Sequence, residues 1–151
     1  NGNGVVVRAF LRLGTLMADP DLLGSAERTL LLFSGAFNDR PEGYDTLLGG
    51  LSDWLSGVPS VILKGEDAGR WQRAISRAGL SCWSVILPED LSGAPLPEPL
   101  VKPWPSSGGT RAYICGTFGC LPPVDGGPEA LVDALTRVKA SGGPSGRMAD
   151  A

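Results

Sequence analysis

The sequence predicts an α+β fragment, in which helices of an α-helical array (residues 1–57) are followed by a small α/β module (residues 58–139). Apolar residues recur at helical spacing through the first part, and short continuous apolar runs replace them after Pro59. Six prolines between residues 88 and 109 predict an irregular surface strap. The Gly-, Ser- and Pro-rich end predicts a disordered tail at residues 140–151.

Three helices are expected in the first part. The first runs from Asn3, a plausible N-cap, to Met17, the second spans residues 21–37, and the third begins near Pro41 and ends at Ser56. The inner face of the first helix is expected to carry Val6, Phe10, Leu13 and Met17, and that of the second Ala26, Leu30, Phe33 and Phe37. Because the apolar stripes are wide, we expect further helices to pack on them. A start in Asn-Gly-Asn-Gly without methionine also favours a segment of a longer polypeptide.

The second part carries a strand–helix–strand pattern. Residues 61–63 form a short buried strand, residues 67–78 a helix capped by its first Asp, and residues 82–87 a second strand. Such a βαβ unit pairs its two strands in parallel. A third strand is predicted over residues 111–115, and a final helix from Pro128 carries Leu131, Leu135 and Val138. The module would then have three strands and two helices.

Composition excludes several classes of function. The chain has no histidine, which removes Ser-His-Asp and Cys-His catalysis and His-ligated zinc. Its three cysteines are fewer than the four ligands of a structural zinc site, so we predict no metal. We also predict no cofactor. With 13 basic against 16 acidic residues, no basic surface for nucleic acid is expected. No apolar run is long enough for a membrane span.

The low cysteine content favours a reducing, cytoplasmic location, with an organellar or secreted one still open.

The end of the second part resembles a known family. Residues 111–124 carry an Ala-Tyr-Ile-Cys strand, a four-residue turn, a second cysteine and a Pro-Val step, and Pro128–Leu131 opens a Pro-Glu-Ala-Leu helix. This order is similar to the C-terminal end of the thioredoxin-domain-containing proteins that include the animal spermatogenesis-associated member. Weaker similarities lie at Gly2-Asn3 and at residues 61–65. Residues 65–67 and 79–81 depart from the family's pattern, as in a divergent member.

The resemblance implies an N-terminal thioredoxin-like domain joined to a six-hairpin α/α toroid of the glycosidase and sugar-epimerase type. The present chain would then supply the last helical hairpins of the toroid and a small βαβ-containing module. The remainder of the parent chain would be its partner, and a sugar or another small molecule could bind the toroid. The parent protein would act in carbohydrate metabolism or redox handling, and no catalytic residue can be assigned to this chain.

Two cysteines are the redox candidates. Cys115 and Cys120 flank a turn whose glycines tolerate positive φ, so a disulfide is possible if the Cα atoms come within about 7 Å. The alternative to a redox role is a structural disulfide or a buried free thiol. Cysteines often serve as small apolar residues, and the spacing here is not the Cys-x2-Cys of thiol oxidoreductases. Cys82, beside Trp83 in a buried strand, is expected to serve in packing.

A sugar site is a weaker hypothesis. Carboxylates and aromatic rings of the third helix region could contact a carbohydrate, with Asn1 and Asn3 as further ligand candidates at a helix start. The residues concerned are Glu42, Tyr44, Asp45, Asp53 and Trp54. Ordinary solvated helix charges explain the carboxylates equally well.

Three functional hypotheses follow from the sequence. The first is structural completion of the toroid, the second a stand-alone protein-interaction module that docks through the Cys115–Cys120 hairpin and the strap, and the third a thiol–disulfide redox element. Whether the chain is part of an enzyme stays open.

Overall fold

The computed structural model describes residues 2–91, 93–106, 108–116 and 119–140. It divides the chain into two compact units. The first unit contains the residues up to Ser56 together with Pro97–Pro99. The second contains Gly57–Leu96 and the residues from Leu100 onward.

The first unit is built from three α-helices within the described residues: α1 (Gly2–Met17), α2 (Pro20–Asp39) and α3 (Asp45–Ser56). Asp19 starts α2, because its carboxylate accepts hydrogen bonds from the amides of Asp21 at 2.9 Å and Leu22 at 3.1 Å. Pro20 at the first helical position needs no amide partner.

The third helix begins later than the sequence predicted. Pro41–Gly43 forms a separate 3-10 turn, which the amide of Tyr44 closes on the Pro41 carbonyl at 3.0 Å. The α-helical hydrogen bonds begin with the Leu48 amide on the Tyr44 carbonyl. Pro41 does begin a helical turn, but this turn is of the tighter 3-10 type, so the α-helix itself begins only at Asp45.

The core of the first unit combines residues from all three helices. Its buried members are Val7, Leu11, Ala26, Leu30 and Leu47. Half-buried aromatic residues surround them, among them Phe33, Phe37 and Trp54. The predicted inner face of α2 is therefore confirmed.

The inner face of α1 differs from the predicted one. The buried residues of this helix are Gly4, Val7, Leu11 and Gly14. Of the predicted stripe, Phe10 packs partly against the core, whereas Val6, Leu13 and Met17 each stay 45% exposed. Both faces are apolar, so spacing alone could not choose between them.

Two glycines decide which face of α1 is buried. A side chain at Gly4 would overlap the backbone of Thr46 in α3, and a Cβ at Gly14 would lie 2.7 Å from Cγ of Leu23 in α2. The glycine-bearing face allows the closest approach of the neighbouring helices, and it is therefore the face on which they pack.

The second unit contains a mixed sheet of four strands in the described residues, in the order β2-β1-β3-β4. The strands are β1 (Ser60–Gly65), β2 (Trp83–Leu87), β3 (Thr110–Gly116) and β4 (Gly119–Cys120). β1 pairs with β2 in parallel, as predicted, and with β3 in antiparallel orientation. The three-strand prediction missed β4, because two exposed residues that pair back on β3 give no hydrophobic pattern.

Two helices cover one face of this sheet: α4 (Ala68–Arg77) and α5 (Pro128–Ala140). The core on this face contains Val61, Leu63, Trp71, Ile75, Ala112, Ile114, Leu131, Leu135 and Val138. Asp67 precedes α4 as predicted, but its side chain makes no cap hydrogen bond, and its amide donates to Thr110 Oγ1 at 2.9 Å. The helix also ends at Arg77, so Ala78 lies outside it and is exposed.

The opposite face of the sheet lies beneath the proline-rich strap. Its small core consists of Ile62, Leu87, Tyr113 and Cys115, and the strap residues Leu96 and Leu100 pack against it. The strap contains two 3-10 turns, Glu89–Leu91 and Glu98–Leu100, and otherwise irregular backbone in its described part. In the described residues, no helix combines the length and apolarity that crossing a membrane requires.

The predicted tail at residues 140–151 lies outside the described residues, apart from Ala140, which ends α5.

Candidate functional site

The two cysteine candidates are joined in a disulfide. Cys115 near the end of β3 lies directly opposite Cys120 in β4, with the Cα atoms 3.9 Å apart. Antiparallel pairing brings the two residues together, closer than the distance of about 7 Å beyond which two cysteines cannot be bridged. The turn residues Thr117 and Phe118 lie outside the described residues.

The chain after the disulfide continues along β3. The amide of Leu121 donates to the Ile114 carbonyl at 2.8 Å, and Ala112 and Val124 exchange two backbone hydrogen bonds. Arg111 then forms a bidentate pair with Asp125, in which its NH2 group lies 2.8 Å from Oδ2. This pairing raises the pKa of Arg111 and lowers the pKa of Asp125.

The surroundings of the disulfide favour a structural role. Cys120 is exposed, whereas Cys115 is buried in the small core beneath the strap. An attacking thiolate would bond to the Cys120 sulfur, break the S–S bond and expel Cys115 as a thiolate. A buried apolar site disfavours that thiolate, and a thiol that is hard to ionise is a slow leaving group.

The third cysteine lies in surroundings that disfavour its thiolate. Cys82 is free and packs beside the core on the helical face of the sheet. Burial raises its pKa to about 11, so the thiol is protonated near neutral pH. Its predicted packing role agrees with this position.

Two of the residues proposed for a sugar site already have partners. Asp53 accepts a hydrogen bond from Arg8 Nε at 2.8 Å, which ties α3 to α1. The Tyr44 ring packs against Phe33 and Phe37, with ring centroids 6.0 and 5.8 Å away. These contacts give both side chains a role in packing the three helices.

The other proposed sugar contacts have different surroundings. Trp54 packs partly against the core of the first unit, and Asp45 lies in the first turn of α3. Glu42 lines an open hollow together with Tyr44. The carbohydrate site thus stays a prediction.

Only one of the two asparagine candidates, Asn3, lies within the described residues. Asn3 was predicted as an N-cap, but α1 already includes Gly2, so Asn3 lies inside the first helical turn and is exposed there. It does not line the hollow near Tyr44. Asn1 lies outside the described residues.

Sequence reasoning missed a buried polar cluster on the strap side of the sheet. Lys64 of β1 is only 4% exposed, and its ammonium donates to the Lys102 carbonyl and lies 5.4 Å from the ring centroid of Trp104. Nearby, Tyr113 donates its hydroxyl to the Pro103 carbonyl at 2.7 Å. A lysine inside a buried strand was the signal that could have revealed this cluster.

The described residues contain no group of three or more His, Cys, Asp or Glu side chains suited to a metal ion. In comparisons with known proteins, no family model, no curated protein and no solved structure matches this chain.

Proposed function

We propose that this chain is a structural segment of a larger helical protein. In this proposal its three-helix unit packs an exposed apolar stripe against further α-helices, as the last hairpins of an α/α toroid would. The parent protein would be a divergent relative of the thioredoxin-domain-containing proteins. No catalytic role is proposed for the chain itself.

The observation that carries this proposal is that α1 has two apolar faces. One is buried in the first unit, and the other presents Val6, Leu13 and Met17 at positions i, i+7 and i+11. An amphipathic helix with a single neighbouring layer needs only one such face. A second regular stripe is typical of a helix that lies between two layers.

The charges of α1 lie away from this stripe. Arg8 and Arg12, one turn apart, share another side of the helix, and Arg8 is paired with Asp53 of α3. The helix is therefore charged on one side, buried on a second and apolar but exposed on a third. A charge-free exposed side is suited to contact with another helix.

Exposed leucines on the neighbouring helices extend the same argument. Leu31 and Leu32 of α2 are 65% and 79% exposed, and Leu55 of α3 is 73% exposed. Full burial of one such side chain contributes about 1.5–3 kcal/mol. Covering several of them would add a stabilisation comparable to the total stability of a small domain.

The sequence resemblance supports the same conclusion from the other end of the chain. The Ala-Tyr-Ile-Cys strand is β3, and the second cysteine is in β4. The Pro-Glu-Ala-Leu segment opens α5. The order of elements in the second unit is thus compatible with the family's C-terminal module.

The complete product of the gene that encodes this chain is the material for the test. Val6→Lys would place an ammonium in the proposed helix–helix contact and lower the free energy of unfolding by about 2 kcal/mol or more. Val5→Lys is the matched control, since Val5 is exposed and lies outside the stripe. Chemical unfolding of both variants gives the comparison.

Equal effects of the two variants would contradict the proposed contact. A gene product without further helical hairpins would overturn the assignment as a whole. The isolated chain offers a second check, because an open stripe should bind a hydrophobic dye and Val6→Lys should reduce that binding. A monodisperse chain that melts cooperatively and binds no dye would favour the stand-alone module.

A further inference from the structure

The buried cluster beneath the strap has more hydrogen-bond donors than acceptors. Lys64 offers three N–H groups, and the Lys102 carbonyl is the acceptor that the described residues provide for them. A buried ammonium with incomplete hydrogen bonding is costly, because neither water nor protein replaces its lost hydration. A further acceptor at this position would remove that cost.

The charges around Lys64 add to the imbalance. Burial, followed by the positive charge of Lys102, lowers the pKa of Lys64. Its cross-strand neighbour is Arg111, also a cation, whose guanidinium is held by Asp125. The carboxylate of Asp125 is thus already used, and the cluster as described carries uncompensated positive charge.

Trp104 provides the second observation. Its indole Nε1 is buried and finds no acceptor among the described residues. Buried N–H groups are almost always hydrogen-bonded, so an unpaired one indicates a missing acceptor. The face of the same indole lies over the ammonium of Lys64. The two groups with unused donors are therefore neighbours.

We propose that Lys64 and Trp104 form a binding site for the carboxylate group of a small molecule. One carboxylate oxygen would accept from the Lys64 ammonium and the other from Trp104 Nε1. A single negative charge matches the one buried ammonium, and Lys102 adds a favourable field from the strap. Phosphate, with about −1.5 to −2 charges at neutral pH, would bring more charge and more acceptors than the site can satisfy.

Acetate is the simplest probe of this site. The chain is titrated with sodium acetate at constant ionic strength, with chloride as the replaced anion, and binding is followed by the melting temperature and by NMR of the Trp104 indole N–H. We expect a saturable rise in melting temperature and a saturable shift of that one indole signal.

Two variants and one control identify the residues involved. Lys64→Met keeps the length of the side chain without its charge, and Trp104→Phe keeps an aromatic ring without the N–H. Each should weaken acetate binding at least tenfold, whereas Lys139→Met, at an exposed position of α5, should leave it unchanged. Circular dichroism establishes that each variant is folded.

Absence of saturable binding by the folded wild-type chain would overturn the proposal, as would unchanged binding by both variants. Inorganic phosphate that binds as tightly as acetate would refute the choice of a carboxylate. These outcomes do not depend on the helix–helix contact of α1, so the two proposals can fail separately.

Discussion

At the scale of the residue, Lys64 has an unusual position. It occupies a strand whose other residues are apolar or small, and it is buried with them on the strap side of the sheet. A hydrophobic side chain there would avoid the cost of dehydrating an ammonium. The presence of a lysine is the reason for expecting a functional contact at this residue.

Lys64→Met should stabilise the chain in the absence of ligand, by about 1–4 kcal/mol at neutral pH. The pKa of Lys64 is lowered in the folded state, so between that value and 10.5 the unfolded state binds more protons. Wild-type stability therefore rises with pH through this window, and the advantage of Lys64→Met shrinks. Urea unfolding of both proteins at a series of pH values from neutral upward measures the difference, and a pH-independent difference would contradict the burial of a charged Lys64.

Gly65 gives a second prediction at this scale. Its φ is +123°, and an added Cβ would overlap the backbone of Gly109 and Thr110. Gly65→Ala should therefore cost about 3 kcal/mol or more. Gly79→Ala is the control, because Gly79 has a φ of +63° but open space around it, and should cost about 1–2 kcal/mol. Similar losses in urea unfolding would show that backbone strain alone, rather than overlap, governs Gly65.

At the scale of the element, α1 is the helix that organises the first unit. It packs against α2 through Gly14 and against α3 through Gly4, and a salt bridge from Arg8 to Asp53 adds a polar tie to α3. Close contact at these glycines fixes which of its two apolar faces points inward. The face left outside is the one that we assign to further helices.

Gly4→Ala should separate α1 from α3, because the new methyl group would overlap the Thr46 backbone. We expect a loss of about 2–4 kcal/mol in the free energy of unfolding. Gly49→Ala in α3 meets nothing within 4 Å and should instead stabilise by about 0.5–1 kcal/mol through helix propensity. Thermal and urea unfolding of the pair measure this, and a neutral Gly4→Ala would show that the helices are not in close contact there.

At the scale of the whole molecule, the described residues form separate hydrophobic cores in the two units. The three helices of the first unit enclose one, and the sheet of the second unit packs one core against α4 and α5 and a smaller one beneath the strap. Each unit is small, so local ties contribute a substantial share of its stability. In the second unit these ties are the Cys115–Cys120 disulfide and the Arg111–Asp125 pair.

Reduction of the disulfide should destabilise the second unit by about 2 kcal/mol, the value expected for closing so short a loop. Hydrogen-exchange mass spectrometry with and without a dithiol reductant measures this for each unit. Amides of β1 and β3 should exchange roughly 30-fold faster after reduction, and amides of α1–α3 should be unchanged. Equal acceleration in both units would contradict a local role of the bond.

The sequence alone determined most of the elements and one of the two faces of the sheet. The apolar spacing of Leu131, Leu135 and Val138 identified the buried side of α5, and the runs around Ile62 and Val85 identified a parallel strand pair. These patterns repeat with the period of a helix or a strand, and burial of that repeat is what forms the element.

Only the tertiary structure decided the rest. It chose the glycine-bearing face of α1 over the equally apolar one, added β4 through pairing with β3, and placed Lys64 beside Trp104, which is distant in sequence. Each of these depends on a contact between separate segments, and a local pattern carries no information about which segments meet. The complementary shapes of the packed helices and the pairing of the strands determined these features, and neither can be read from the periodicity of a single segment.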